Sequence, residues 1–246
     1  KVIVTSLGQE ILTKAKKIKL EVHNIHELAQ HHSRGLGQFI SIGIIPTISP
    51  YFLPMILPKL QKEFSGLKLK IEEGQSQLLL SRVKEGELDM AILALPYDVE
   101  DLLSFKFWEE DFFWVSHNKH KNAGKPEISA DELKHSELML LEDGHCLKDH
   151  ILDACNISSS SQYSLKASSL NTLIQLVKGE MGTTLVPKMA LKELVGNKKG
   201  LLVSHLNEPG PHREIALITR ANYIGMENVK MLLNFFKKCL RESNKN

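Results

Sequence analysis

The stretch QFISIGIIPTISPYFLPMILPKLQKEF, residues 38–64, places a continuous apolar segment directly before an amphipathic one. Residues 38–45 predict a buried strand, and residues 50–64 predict an amphipathic helix interrupted by prolines. Outward from it, a strand, a helix and a second buried strand are predicted at residues 67–73, 76–84 and 90–95. This β-α-β order is typical of a parallel sheet with helices on its faces.

A second series of elements follows an extended, aromatic-rich crossing at residues 105–117. Strands are predicted at residues 137–141, 163–167, 183–186, 201–206 and 213–219, and helices at residues 146–155, 170–179, 189–195 and 226–240. We therefore predict an α/β fold of two Rossmann-like lobes with a cleft between them, as in periplasmic binding proteins. Lobe I is expected at residues 37–110 and 214–246, and lobe II at residues 111–213.

The N-terminal segment, residues 1–36, contains a long predicted linker helix at residues 9–33. Its apolar residues recur at alternating steps of four and three, at Ile11, Ala15, Ile18, Val22, Ile25 and Ala29. An apolar stripe this narrow is typical of a coiled-coil helix, whereas a helix packed on a globular domain has a broader one. We expect this helix to join two copies of the chain, and the alternative is a helix packed on its own domain.

The charge balance argues against a nucleic-acid-binding surface spread over the whole chain. The 246 residues include 31 basic and 29 acidic ones, so a DNA-binding surface is expected to be local or outside this sequence. No apolar run approaches the ~20 residues that span a bilayer, and no signal peptide is visible at the N-terminus. We expect an excised fragment of a cytoplasmic protein that makes no membrane contact.

The segment LLEDGHCLKDHILDAC, residues 140–155, carries the candidate chemistry. A predicted strand ends at Leu141, and His145 and Cys146 follow a turn at the start of a predicted helix. The partial positive charge of a helix N-terminus favours a thiolate, and His145 and Lys148 add positive character nearby. A thiolate is the species that attacks peroxide and becomes a sulfenic acid.

A second cysteine, Cys155, lies nine residues further along the same predicted helix. At about 1.5 Å per residue, the two Cα atoms would be ~13.5 Å apart, whereas a disulfide tolerates at most ~7 Å. A bond between them therefore requires the helix to unwind, as in a redox switch. The alternatives are that both cysteines are small buried hydrophobes, or that Cys146 and His145 form half of a zinc site that no second pair completes. The third cysteine, Cys239, is expected to serve packing.

The motif GHCL-x-D-x5-C at residues 144–155 closely resembles the redox motif of the OxyR family of peroxide-responsive LysR-type transcriptional regulators. The likeness covers nearly the whole chain, with further landmarks at residues 42–54, 87–95, 169–187 and 211–220. Residues 1–12 are similar to the end of the wing and the start of the linker helix in that family. The helix-turn-helix that would precede them is absent from this sequence.

The resemblance implies roles for individual residues. Cys146 matches the peroxidatic cysteine and Cys155 the resolving one. The expected peroxide-binding residues are Thr47, Ser76, His145 and Arg213, with Lys148 and Asp149 as supporting residues. Lys148 stands where arginine is typical, so contacts that need a guanidinium fork are in doubt.

Each of three pocket residues also has an ordinary structural alternative. Thr47 and Ser76 could instead cap the helices that follow them. Arg213 could be a surface charge beside Glu214. The pocket roles and these alternatives predict different burial and different hydrogen-bond partners for the three side chains.

The resemblance also implies a set of partners and no cofactor or metal. The expected partners are hydrogen peroxide, DNA through the missing helix-turn-helix, further copies of the chain in a homodimer or homotetramer, a thiol reductant and RNA polymerase. The protein is expected not to be an enzyme. The alternatives are a thiol peroxidase, a two-lobed solute-binding protein, and a LysR-type sensor that binds a small organic ligand in the cleft.

Overall fold

The computed structural model describes residues 3–31, 39–134, 136–157, 165–196 and 199–243. The strands in chain order are β1 (Phe39–Ile44), β2 (Lys68–Glu73), β3 (Met90–Leu95), β4 (Leu103–Glu110), β5 (Phe112–His117), β6 (Glu127–Ile128), β7 (Leu140–Leu141), β8 (Lys166–Ala167), β9 (Thr184–Pro187), β10 (Leu201–Leu206) and β11 (Arg213–Thr219). The helices are α1 (Ser6–His31), α2 (Ser49–Glu63), α3 (Ser76–Lys84), α4 (Ala130–Leu133), α5 (Cys146–Ala154), α6 (Leu170–Lys178), α7 (Lys188–Leu194) and α8 (Met226–Ser243).

The first sheet has five strands in the order β2-β1-β3-β11-β4. Its pairs β1–β2 and β1–β3 are parallel, as the β-α-β order predicts. The sheet as a whole is mixed, because β11 runs antiparallel to both β3 and β4. The reason is that β11 brings the chain back into this sheet from the opposite end, whereas β4 runs in the same direction as β3.

The second sheet has four strands in the order β6-β10-β5-β9, and β7 pairs with β8 separately. In this sheet β5 is antiparallel to both β10 and β9. The crossing predicted at residues 105–117 is two strands, β4 and β5, which belong to different sheets. The strands predicted at residues 137–141 and 163–167 are shorter than expected, and residues 158–164 lie outside the described part of the chain.

Two separate hydrophobic cores confirm the predicted two-lobe fold. One core packs around the first sheet and includes Phe52, Phe107 and Phe236. The other packs around the second sheet and includes Phe112 and Trp114. The exact lobe boundaries stay a prediction, although Arg213 lies opposite Glu110 in the strand pairing where the chain leaves and re-enters the first sheet.

The apolar seam of α1 is not covered by the lobes. Ile11, Ile18, Val22 and Ile25 are between 49% and 66% exposed. The predicted helix thus forms, and the alternative in which these four residues pack on their own domain is wrong. One polar contact to the body is the ion pair between Lys16 and Glu85, at 2.7 Å. Ala29 lies among the side chains that are not described.

Candidate functional site

Helix α5 begins where the sequence predicts. Strand β7 ends at Leu141, the chain turns through Gly144 with a φ of +93°, and His145 is the N-cap in an extended conformation. Cys146 is therefore the first residue of α5. The predicted strand–turn–helix setting of this cysteine is confirmed.

Helix α5 connects the two cores. Cys146 packs in the core of lobe I, whereas Leu147, Ile151 and Cys155 pack in the core of lobe II. Any rearrangement of α5 must consequently disturb the contact between the lobes.

The Cys146 thiol is more deeply buried than the sequence suggests. It is 4% exposed, and this burial raises its pKa. The nearby Ser76 hydroxyl, the charge of Arg213 and the Ala94 backbone amide act in the opposite direction. The expectation that the thiol ionises easily is therefore wrong for this state of the protein, because apolar burial outweighs three groups that favour the thiolate.

Ser76 lies next to the reactive sulfur. It is the first residue of α3 rather than its N-cap, which is Gln75, so the capping alternative is wrong. Its hydroxyl is buried and makes no hydrogen bond of ordinary geometry, yet it lies near enough to Cys146 to lower the pKa of the thiol. We interpret this as a loose contact that tightens once the sulfur becomes a thiolate, which is the stronger acceptor.

Arg213 is an interior residue, which rules out the surface alternative. Its side chain is 0% exposed, and it donates from Nη1 to the Thr47 hydroxyl at 3.2 Å and from Nη2 to the Thr47 carbonyl at 3.3 Å. The N-cap of the helix after Thr47 is Ile48, so Thr47 does not cap that helix. Thr47 and Arg213 thus form one buried cluster.

Glu110 completes this cluster, and the sequence reasoning missed it. One of its carboxylate oxygens, Oε1, accepts from Arg213 Nε at 2.8 Å and lies 2.6 Å from Nη2. The other, Oε2, accepts from the Met189 backbone amide at 2.8 Å, which links β4 of lobe I to α7 of lobe II. The sequence contained a signal for this pair. Glu110 is an acidic residue within the predicted crossing at residues 105–117, and Arg213 begins the strand in which the chain returns to lobe I.

The two supporting residues do not stabilise the thiolate. Lys148 forms an ion pair with the loop residue Asp143, whose pKa it helps to lower to about 2. Asp149 is exposed, and its charge raises the pKa of Cys146. The expected contribution of Lys148 to Cys146 ionisation is therefore wrong, because its ammonium pairs with the Asp143 carboxylate and is not among the groups that shift the pKa of the thiol.

A cavity of about 350 Å³ opens between the lobes beside this cluster. Thr47 and His145 line it, together with Tyr51, Ser169 and Asn171. It lies at the C-terminal end of β1 and the N-terminus of α6, which is the place expected for a ligand in open α/β sheets. Within the described ranges, no three His, Cys, Asp or Glu side chains are arranged to hold a metal ion.

The comparison with known families assigns residues 17–240 to the LysR substrate binding domain. The chain belongs to the LysR substrate-binding domain family. This assignment agrees with two α/β lobes, the cleft between them and the preceding long helix. No helix in the described residues of this LysR-type domain is long and apolar enough to cross a membrane.

Two curated relatives of the LysR-type domain have different names. It is 35% identical over 237 residues to the HTH-type transcriptional regulator EstR of Acinetobacter baylyi, covering 96% of this chain and 78% of EstR. It is 31% identical over 244 residues to a probable hydrogen peroxide-inducible genes activator of Streptomyces viridosporus, covering 98% and 78%.

Two solved structures also resemble the LysR-type domain closely. A hydrogen-peroxide-bound cysteine-to-serine mutant of Corynebacterium glutamicum OxyR superposes with a TM-score of 0.81 at 32% identity, covering 98% of this chain and 77% of that one. The reduced OxyR regulatory domain of Pseudomonas aeruginosa gives 0.74 at 28% identity, covering 83% and 97%.

Cys155 is far from Cys146 and shielded. Both are free thiols, and Cys155 is the 0% exposed residue that ends α5. Burial raises the pKa of the Cys155 thiol to about 12; the charge of Glu208 raises it further and that of Lys134 lowers it. Cys155 lies nine positions after Cys146 along the helix, so the Cα atoms are ~13.5 Å apart. The two sulfurs therefore cannot bond while α5 is intact.

Gly144 lies in the turn that leads into α5, and we expect Gly144→Ala to displace this turn from its position beside Gln75. Its φ is +93°, and an added Cβ would lie 2.7 Å from Gln75 Oε1. The backbone strain should lower the free energy of unfolding by about 1–3 kcal/mol, and displacement of the loop should speed alkylation of Cys146. Gly124→Ala is the matched control, because Gly124 has a φ of +86° but no atom within 4 Å of the added Cβ. Equal alkylation rates in both variants would contradict the expectation.

Proposed function

We propose that this LysR-type domain is the sensing part of a hydrogen-peroxide-responsive transcriptional regulator. The observation that carries the proposal is the position of Cys146 at the start of α5. There the Ser76 hydroxyl, the Ala94 amide and the Arg213 charge all favour its thiolate. The similarity to a peroxide-bound OxyR structure over 98% of the chain supports the same conclusion.

The proposed reaction has two steps. The Cys146 thiolate attacks one peroxide oxygen, the O–O bond breaks, an S–O bond forms, and the departing hydroxide takes up a proton to become water. The Cys155 sulfur, as thiolate, then attacks the sulfenic sulfur, so that an S–S bond forms, the S–O bond breaks, and the departing hydroxide takes up a proton to become a second water. Peroxide is reduced by two electrons in total, and a thiol reductant would return the pair to dithiol.

The second step converts oxidation into a change of shape. For the disulfide to form, α5 must unwind and remove Leu147 and Ile151 from the core of lobe II. Exposing one such side chain fully costs about 1.5–3 kcal/mol. In the reduced domain α5 therefore stays helical, and it unwinds only when the disulfide offsets this cost. The domain thus has two stable states, one with α5 intact and one with the disulfide formed.

The seam of α1 supports assembly through two copies of the same helix. Its exposed apolar residues follow the spacing of a coiled coil, which needs a partner helix to bury them. We infer a homodimer through α1, and a tetramer in which rearranged lobes change the spacing of DNA-binding heads. DNA and RNA polymerase are then the expected macromolecular partners.

A second candidate function is detection of a small organic ligand in the cleft. It is favoured by the 350 Å³ cavity, whose lining mixes Tyr51 and Pro50 with Asn171 and Ser169, and by the 35% identity to EstR. A thermal shift caused by small organic ligands, with no cysteine oxidation by peroxide, would favour this function.

Peptide mapping by mass spectrometry tests the peroxide proposal. After brief treatment with stoichiometric peroxide, we expect a Cys146–Cys155 crosslink in the wild type and in Cys239→Ser, which serves as the control for non-specific oxidation. Oxidation of Cys239 at a rate equal to that of Cys146 would contradict the proposal.

The raised pKa of Cys146 has a measurable consequence. Because only the thiolate reacts, the rate of iodoacetamide alkylation at Cys146 should continue to increase with pH above about 8.5, the usual value for a thiol. The experiment uses Cys155→Ser/Cys239→Ser so that one thiol remains. A rate that levels off below about pH 7 would show instead that the thiolate is the resting state.

A further inference from the structure

His150 is a buried residue of α5 that the proposed chemistry does not use. It lies four positions after Cys146, on the same face of the helix, and is 2% exposed. Its Nε2 lies 2.8 Å from the carbonyl oxygen of Pro96, directly after β3 in lobe I. The ring thus reaches from the helix of one lobe to a strand end of the other.

The hydrogen bond to Pro96 determines which tautomer the neutral ring adopts. A carbonyl oxygen only accepts, so Nε2 must carry the hydrogen, and Nδ1 of a neutral ring is left as an acceptor. This Nδ1 is buried and has no hydrogen-bond partner. Burial lowers the pKa of His150, which keeps the ring neutral.

Helix α5 approaches the same end of β3 at two points. The Cys146 sulfur interacts with the Ala94 backbone amide, and His150 binds the Pro96 carbonyl. Oxidation of Cys146 changes the first contact directly, because the sulfur gains an oxygen. The second contact involves neither the sulfur nor any other atom that the oxidation of Cys146 changes.

We propose that His150 is a positioning residue that latches α5 onto Pro96 and thereby sets the rate at which oxidised Cys146 is passed to Cys155. This inference rests on the proposed function. The latch holds α5 in place after the first oxidation step, so the helix opens only when the Nε2–carbonyl bond breaks. In a domain without the latch, α5 opens more often and the disulfide forms sooner.

Opening of the latch is coupled to proton uptake. In the open state His150 meets water and regains an ordinary pKa of about 6.5, whereas the latched ring has a lower one. The open state therefore binds the proton more tightly, and opening becomes more favourable as the pH falls through about 6.5. Around the ring, Arg213 from β11 opposes protonation, while Asp149 and Asp153 on α5 favour it. The nearby Cys146 thiol and Tyr97 stay neutral in this range, since the pKa of each is raised.

Amide hydrogen exchange of α5 in the reduced protein tests the latch without peroxide. His150→Leu removes the donor, and we expect exchange of the α5 amides to become about tenfold faster, as for the loss of one hydrogen bond. His150→Gln keeps an N–H that can reach Pro96, so its exchange should stay within about threefold of the wild type. After correction for intrinsic rates, lowering the pH from 7.5 to 5.5 should speed exchange in the wild type but not in His150→Gln.

His120→Gln is the matched control for these measurements. His120 is also a histidine whose pKa is lowered by burial, but it packs against Trp114 in lobe II. This variant should keep the wild-type pH dependence of α5 exchange. Unchanged α5 exchange in His150→Leu, or a pH response that survives in His150→Gln, would overturn the latch.

Peroxide measurements separate the latch from the proposed function. In His150→Leu the ratio of the disulfide-forming rate to the Cys146 oxidation rate should increase about tenfold, in proportion to the opening of α5. If Cys146 is not oxidised in any variant while α5 exchange responds to His150 as described, the proposed function fails, and His150 holds α5 in place without controlling a disulfide. If oxidation is normal and the ratio is unchanged, the latch fails and the proposed function stands.

Discussion

Cys146→Ser is expected to abolish every response of the domain to peroxide. A serine hydroxyl is not oxidised by peroxide, so neither the sulfenic acid nor the crosslink to Cys155 can form. Hydrogen exchange of α5 should then be identical before and after treatment, whereas in the wild type the α5 amides should lose their protection once the disulfide unwinds the helix. The measurement is exchange mass spectrometry combined with mapping of the crosslink.

Cys155→Ser separates the two chemical steps and is the matched variant. It should be oxidised at Cys146 at the wild-type rate, because Cys155 lies ~13.5 Å away at the other end of α5 and takes no part in the first step. The product should be a sulfenic acid that a dimedone-type reagent traps, with α5 still protected. A peroxide-induced change of α5 in Cys146→Ser would refute the assignment of the sensor cysteine.

Glu110→Gln is expected to lower the free energy of unfolding by about 3–5 kcal/mol, because it leaves the buried guanidinium of Arg213 without its counter-charge. The side chains of this pair are 0% and 1% exposed, so solvent cannot screen the charge that remains. The same change should also shift the alkylation profile of Cys146 to lower pH, since Arg213 already lowers the pKa of this thiol and would do so more strongly when unpaired. Urea denaturation and alkylation rates measure the two effects.

Two further variants check this interpretation. Glu110→Gln/Arg213→Met should be more stable than Glu110→Gln alone, because no unpaired charge stays in the interior. Glu242→Gln breaks the exposed ion pair with Lys59 and should leave stability nearly unchanged. A double variant that is less stable than Glu110→Gln would show that Arg213 contributes through contacts other than its charge.

The local sequence was sufficient to predict α5 and its reactive position. The turn at Gly144, the N-cap at His145 and the apolar spacing of Leu147 and Ile151 are encoded within a few residues. The same holds for the seam of α1, whose spacing alone indicated a helix that its own lobes leave uncovered. Such features depend on backbone geometry and on near neighbours in the chain, which a single sequence displays.

The sequence misjudged the ionisation of Cys146 because the pKa depends on everything packed around the sulfur. Lys148 is two residues away in the chain but is paired with Asp143, whereas Arg213 is distant in sequence and acts on the sulfur. Burial in the core of lobe I then outweighs Arg213, Ser76 and the Ala94 amide. No sequence pattern within residues 140–155 indicates how deeply the Cys146 sulfur is buried or that Arg213 acts on it.

The sequence by itself determined the two-lobe α/β architecture, the long helix with its uncovered seam, and a pair of cysteines too far apart to bond within an intact helix. These follow from periodicity and from the fixed rise of the α-helix. Only the tertiary structure decided that Glu110 pairs with Arg213, that Cys146 is a buried thiol of raised pKa, and that His150 binds Pro96. Each of these joins residues more than 50 positions apart in the chain, and their energies depend on desolvation, which exists only once the lobes have closed around them.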